Sequence, residues 1–235
     1  MEVDNSLFKL ALAKFKPRMK NLGIISLAFL VVLGCTQDQR GNLSNIFMNK
    51  RSFEELVNSF ESEEREEYQK PEQVIDLLGD IQGKKIMDIG AGTGYFAFRM
   101  AERGAQVIAA DVDDRFLEYM KEKNATIKNS KITTRKVEFE DPLLSKDEVD
   151  HVIIVNTYHH IDNREEYFTK VANGIKNAGS LMVVDFKKDV KSPGPPKRYR
   201  VSTKNVAKEL TQAGFKTFEI NTDLLENQYI VIAHK

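Results

Sequence analysis

Three glycines at alternate positions follow an acidic residue in the stretch Ile86-Met87-Asp88-Ile89-Gly90-Ala91-Gly92-Thr93-Gly94-Tyr95. Glycines so spaced let a backbone turn tightly and approach a ligand closely. A helix that starts beyond them turns its N-terminal N–H groups toward negative charge. Asp111 lies 21 residues past Gly90, at the end of a second apolar run. A carboxylate there can accept both hydroxyls of a ribose. A further group of chemistry-bearing residues is Asn156-Thr157-Tyr158-His159-His160, after an aliphatic run. Histidine has the unperturbed pKa nearest neutral pH, so His159 or His160 could take a proton from an acceptor hydroxyl or thiol. Each could equally cap the next helix or satisfy buried backbone. Asp162 reads as an N-cap for the helix that starts near Arg164.

These residues need a scaffold, and the pattern around them supplies one. Short apolar runs at Lys85–Ile89, Gln106–Asp111, Ile132–Val137, His151–Asn156 and Ser180–Asp185 alternate with helical segments near Tyr95–Glu102, Arg115–Lys123 and Arg164–Lys176. Strand–helix alternation predicts a parallel sheet covered on both faces. A helix Thr203–Ala213 follows, then strands Lys216–Ile220 and Gln228–Ala233, whose short connection requires antiparallel pairing. Residues 51–83 form a helical cap in this reading. Its first helix opens at Ser52, runs on through Glu63–Glu67 and stops near Gln69-Lys70-Pro71, and a second helix spans Pro71–Leu78.

The glycine spacing is G-x-G-x-G, not the G-x-G-x-x-G of dinucleotide sites. Asp88-Ile89-Gly90-Ala91-Gly92-Thr93-Gly94 resembles the first motif of class I S-adenosylmethionine (SAM) methyltransferases, and the resemblance extends over about residues 71–235. It implies a Rossmann-like, doubly wound α/β sheet of seven strands with a C-terminal antiparallel hairpin. It implies SAM as cofactor and a small-molecule acceptor, and it is nearest to the quinone-biosynthesis branch. Carried over by position, Gly90, Ala91, Gly92 and Gly94 would cradle the methionine part and the ribose. Asp88 would hold the loop, Asp111 would take the ribose hydroxyls and Val112 would flank the adenine. In the acidic turn Glu138-Phe139-Glu140-Asp141, one of Glu138, Glu140 and Asp141 would reach the adenine amino group, although the family's usual Gly-Asp is missing. Asn156 would face the cofactor, and His159 and His160 are the candidate catalytic bases. A fold kept for binding alone is the alternative from another class, and a nicotinamide-dependent oxidoreductase is disfavoured by the glycine spacing.

Several activities are excluded or weakened by the residues themselves. Lys+Arg and Asp+Glu both number 35, so a basic nucleic-acid binder is not expected. The single cysteine, Cys35, removes disulfide frameworks and cysteine-rich metal sites. It also removes cysteine-dependent methylation of cytosine carbon. Asn156 and Asp185 are too few for a magnesium site, so no metal is expected. Tyr119 and Lys123 spell Y-x-x-x-K but read as an exposed helix face. After the fifth strand, Pro193–Arg200 carries Lys197, Arg198 and Arg200, which suit either an anionic acceptor or a solvated loop.

The first 35 residues read differently. Lys14, Lys16, Arg18 and Lys20 precede the 13-residue apolar run Leu22–Gly34, which is too short to span a membrane. Val32-Leu33-Gly34-Cys35 resembles a bacterial lipobox, so residues 1–35 are expected to be a lipoprotein signal peptide with Cys35 lipidated. Met19 offers a natural start, which would leave residues 1–18 outside the protein. Residues 36–50 are then a linker and residues 84–235 the main domain. The expected location is the cell envelope, facing the periplasm on a lipid anchor, with the cytoplasm as alternative. Removing 1–35 leaves 30 basic against 33 acidic residues. Labelling with a radioactive fatty acid in cells is expected to mark the protein and to be lost in Cys35→Ser. Absence of label, or label that survives the substitution, contradicts the signal.

Overall fold

Strands with apolar side chains on both faces must be covered on both faces, and this requirement sets the architecture. The computed structural model describes residues 51–192 and 194–235. The signal, the linker and Cys35 lie outside them. Seven strands form one sheet: β1 (Lys85–Ile89), β2 (Gln106–Asp111), β3 (Ile132–Lys136), β4 (Val149–Val155), β5 (Ile175–Phe186), β6 (Thr217–Asn221) and β7 (Gln228–His234). Their order is β3-β2-β1-β4-β5-β7-β6. The first five run parallel, and β7 pairs antiparallel with both β5 and β6. This is the expected doubly wound sheet with its terminal hairpin.

The helices divide between the two faces. Here α1 is Phe53–Phe60, α2 Glu63–Gln69, α3 Pro71–Asp76, α4 Tyr95–Glu102, α5 Asp114–Ala125, α6 Arg164–Gly174 and α7 Thr203–Gln212. Alternate strand residues Ile86, Val107, Ile153, Met182 and Ile230 pack with Val74, Phe96, Met100 and Met120 of α3, α4 and α5. Their neighbours Met87, Ile108, Ile154, Val183 and Val231 pack with Phe168, Val171, Val206 and Leu210 of α6 and α7. Full burial of one such side chain is worth about 1.5–3 kcal/mol, so the two layers supply the driving force.

Local chemistry explains the departures from the expected elements. The continuous first helix is two helices, broken at Glu61–Ser62. The Ser62 hydroxyl donates to the Ser59 carbonyl at 3.2 Å, and Ser62 is extended (ψ 146°) as the N-cap of α2. Serine offers the backbone this alternative to helix continuation. A capping box does open α1: the Glu55 N–H donates to Ser52 Oγ, and the Ser52 N–H donates to the Glu55 carboxylate. The N-cap of α6 is Asn163 in a left-handed conformation, not Asp162. Tyr119 is not on a bare helix face, because its ring lies 6.3 Å from that of Phe53 and Lys123 Nζ sits 4.7 Å from the Phe98 ring centre.

Helix α6 ends at Gly174, two residues earlier than expected, because β5 starts at once. Val149 pairs with Ile175 and His151 with Ser180, so residues 176–179 bulge from the ladder. A Cβ on Gly179 would stand 2.0 Å from the Asp150 carbonyl oxygen, a backbone atom with little freedom to move. Gly179→Ala is therefore expected to cost about 1–3 kcal/mol. This is read as a lower denaturant midpoint at unchanged slope, and an unchanged midpoint contradicts the clash.

Candidate active site

The chain runs outward from β1 to β2 and β3, then returns to β4 on the other side of β1. Open parallel sheets hold ligands in the crevice at such a reversal, beyond the carboxyl ends of the strands. The glycine loop lies there. Gly90, Gly92 and Gly94 have φ of 72°, 57° and 80°, a region that residues with a Cβ rarely enter. A Cβ on Gly90 would also meet Thr157 Oγ1 at 2.4 Å. The Gly90 and Ala91 N–H groups both donate to the Ala110 carbonyl, which ties the loop to β2. Gly94 caps α4 with no side-chain hydrogen bond, and the first turn of α4 carries no acid. The hydroxyl of Thr93, within the loop, is buried with no partner among the described residues.

Two carboxylates face this loop from beneath. Asp111 Oδ2 accepts the Gly92 N–H at 2.9 Å and Oδ1 accepts the Asp113 N–H at 2.9 Å. Burial raises its pKa, and these N–H groups oppose the rise. Asp88, at 3% exposure, is pushed up to about 7. Burial is the main cause; the Arg65 guanidinium and the Ala97 N–H pull the other way, while Asp111 adds to the rise. Arg65 comes from α2. Its guanidinium lies 4.2 Å from the Tyr95 ring centre, and it donates to the Phe60 carbonyl and to Gln69 Oε1. The Phe60 ring lies against Gly92 and stacks on Phe116 with centroids 5.6 Å apart. Val112 is half-buried against the core layer that holds Met87, Ile108 and Val137. Glu138 is exposed and bridges to Asp141 through the backbone. Asp141 accepts the Leu143 N–H and pairs with Lys170 at 3.2 Å.

At the end of β4 the backbone turns through Asn156 with φ 55°, which asparagine tolerates. Its Oδ1 accepts from Gln228 Nε2. The two histidines then part in environment. His159 Nδ1 lies 2.9 Å from both carboxylate oxygens of Asp185, and its backbone N–H donates to the same group. Asp185 is fully buried and also accepts the Phe186 N–H. His160 stacks near His159, with ring centroids 4.2 Å apart. Burial first, then the neighbouring His159, push its pKa down to about 3, so its ring is neutral at ordinary pH.

The structure thus gathers Asp88, Gly90, Ala91, Gly92, Gly94 and Asp111 in one corner and Asn156, His159 and His160 beside it, while Glu138 and Asp141 form a separate turn. Sequence reading weighed Asp185 only as a metal ligand. It stands one residue before the end of β5, much as Asp111 ends β2, and an acid at a strand's carboxyl end is the available signal. Arg65, Gln69 and Gln228 carried no local signal. Arg200, expected to lend charge to the acceptor loop, is 4% exposed. It donates to the carbonyls of Pro195, Lys187, Val190 and Ser192, so its charge organises the loop itself. Among the described residues no group of three His, Cys, Asp or Glu could hold a metal, and no helix is long and apolar enough to cross a membrane.

Residues 86–179 match the family model described as a methyltransferase domain. The demethylmenaquinone methyltransferase of Tropheryma whipplei is 28% identical over 110 residues, 47% of this chain and 45% of that protein. Phosphoethanolamine N-methyltransferase 3 of Arabidopsis thaliana is 26% identical over 129 residues, 52% of this chain and 25% of that protein. This chain therefore spans less than half the length of these curated relatives. Among solved structures, a SAM-dependent methyltransferase from Aquifex aeolicus superposes with a TM-score of 0.71 at 22% identity, covering 78% of this chain and 98% of that one. A Haemonchus contortus phosphoethanolamine N-methyltransferase 2 in complex with S-adenosyl-L-methionine gives 0.63 at 14% identity, covering 72% and 52%. The chain has the Rossmann-like methyltransferase fold.

Asp88 makes this corner sensitive to pH. Its folded pKa of about 7 lies above the carboxylate value of 3.8. Between those values the native state holds a proton that the unfolded chain has lost, so stability falls as pH rises through the window. Asp88→Asn removes that dependence. Relative to the parent, the variant is expected to gain stability from about pH 4 to about pH 7, by on the order of 4 kcal/mol at full extent. A pH series of denaturant unfolding reads the difference, and a pH-independent offset contradicts it.

Proposed function

We propose that this chain transfers a methyl group from S-adenosylmethionine to a small-molecule acceptor. The observation that carries the reading is the Gly92 N–H held by Asp111 at the sheet reversal, inside a loop of three left-handed glycines. The methyltransferase family match over residues 86–179 and the shared fold support it. The residues fit the cofactor. A Cβ at Gly90, Gly92 or Gly94 would press on Thr157, Phe60 or Phe98, so only glycine keeps the loop in this shape, and the loop's Thr93 hydroxyl is a buried polar group with no partner among the described residues.

S-adenosylmethionine, when bound, supplies a methyl group already activated on a sulfonium. The protein's work is positioning, exclusion of water and removal of one proton. Gly90, Ala91, Gly92 and Gly94 hold the methionine part and the ribose. Asp111 is fixed by two backbone N–H groups, and each oxygen keeps a lone pair for a ribose hydroxyl. The N-terminus of α4, capped by Gly94 without a side chain, favours the negative end of the ligand. Val112 flanks the base, and the Phe60 ring, stacked on Phe116, lies against Gly92 of the loop. His159 is the base for the acceptor: its Nδ1 lies against the Asp185 carboxylate, which holds the ring in orientation. His160 stays neutral and is a wall of the same pocket. The lipid anchor at Cys35 belongs to this proposal too, and an exported enzyme would need a supply of S-adenosylmethionine outside the cytoplasm.

Calorimetric titration into the full chain tests the cofactor. S-adenosylmethionine and S-adenosylhomocysteine are expected to bind, NADH is not, and Asp111→Ala is expected to weaken the first two at least about tenfold, the loss of charge-assisted hydrogen bonds. A folded protein that binds neither would be a binding module of another kind, and one that binds NADH an oxidoreductase. Once an acceptor is in hand, His159→Gln is expected to lower kcat by about 10²–10⁴-fold at unchanged cofactor affinity. Full activity in that variant removes His159 as the base.

A further inference from the structure

A chain of buried side chains leads from the helical cap to the end of β4, and its first member dictates the direction of every hydrogen bond in it. Arg65 Nε donates to Gln69 Oε1 at 2.7 Å. Gln69 Nε2 donates to Gln228 Oε1 at 3.0 Å, across 159 residues of sequence. Gln228 Nε2 donates to Asn156 Oδ1. Both glutamines are fully buried. A guanidinium has donors and no acceptor. Gln69 must therefore meet it with oxygen, which turns the Gln69 NH₂ toward Gln228, and the same logic passes to Asn156. Reversing any one amide would set two donors or two acceptors face to face in a dry interior, at the cost of an unsatisfied buried group. The amide orientation at the end of the chain is thus imposed by a cation on α2.

Asn156 is half-buried, and among the described residues its Nδ2 has no acceptor. It stands at the sheet reversal next to Thr157, whose side chain touches Gly90. Resting on the function proposed above, we propose that Asn156 is the specificity-determining contact for the acceptor, offering N–H donors to an oxygen of the acceptor, with Arg65, Gln69 and Gln228 as the positioning residues that keep it in that sense. An acceptor carrying a phenol, enol or carbonyl oxygen meets a donor. An acceptor amine, whose own hydrogens need an oxygen there, meets the wrong group. Arg65 and both glutamines touch neither the acceptor nor the cofactor in this role; they act through Asn156.

Two measurements on the full chain decide the matter. Side-chain amide exchange by NMR is expected to show slow NH₂ protons for Gln69 and Gln228 and fast ones for Asn156, with Asn156→Asp identifying the last. The probes 2-naphthol and 2-naphthylamine, which differ by one functional group, are titrated with and without S-adenosylhomocysteine. The naphthol is expected to bind about tenfold tighter, the worth of one correctly paired hydrogen bond. Asn156→Asp keeps the bond from Gln228 but presents an oxygen in place of the amide nitrogen, and is expected to reverse the order. Asn156→Ala is expected to abolish the difference. Asn156 protons as slow as those of Gln228, equal affinity or no binding for the two probes, or an order unchanged in Asn156→Asp would overturn the inference. Failure of S-adenosylhomocysteine to bind counts instead against the cofactor, and amide exchange and the probe order without it still decide the relay.

Discussion

Two carboxylates buried side by side are the constraint that the rest of the corner answers. Asp88, one residue before the end of β1, and Asp111, at the end of the adjacent parallel strand β2, are both nearly inaccessible. A buried charge is costly unless it is paired or hydrogen-bonded. Asp111 is satisfied by N–H groups of the turn it faces, which requires the glycine loop to fold back over β2. Asp88 is satisfied by the Ala97 N–H, so α4 must start directly above it. The remaining compensation is the positive charge of Arg65, and Arg65 is present only if α2 lies across the loop. Loop, helix and cap are therefore consequences of one electrostatic problem.

The histidines show how neighbouring residues of one type are given different chemistry by what they touch. His159 faces a carboxylate anchored by backbone N–H groups, which fixes its tautomer and orientation. His160 is held neutral by burial beside it. Tyr158, the residue before them, is spent differently again. Its hydroxyl donates to Glu209, which also binds Arg164, and this joins α6 and α7 to the turn after β4. The short turn after β4 thus carries one positioned ring, one neutral ring and one structural anchor.

Much of this was legible in sequence because it is local. Strand and helix positions follow from apolar runs and their spacing, and the loop follows from Gly90, Gly92 and Gly94. What failed was either a contest between close alternatives or a contact across the fold. Ser62 ended a helix that the apolar stripe would have continued. Asn163 rather than Asp162 took the cap because its side chain tolerates the left-handed turn. Arg200 was read by its charge as facing outward, yet four carbonyls of one loop outweigh solvent for a guanidinium with five donors. Gln69 and Gln228 look like solvated polar residues in any window of sequence. Their pairing exists only because β7 inserts between β5 and β6, which brings Gln228 to Gln69 of α2.

Arg65 is common to both halves of the site, and this has a physical consequence. The same guanidinium moderates the charge on Asp88 and sets the direction of the amide chain that ends at Asn156. A displacement of α2 would raise the cost of ionised Asp88 and release the orientation of Asn156 in one motion. The cap cannot loosen its hold on the glycine loop and keep the acceptor contact in register. Order at the cofactor end and order at the acceptor end are thereby coupled through a single side chain. No movement of the sheet is needed, because the coupling runs through hydrogen bonds whose direction cannot be reversed one at a time.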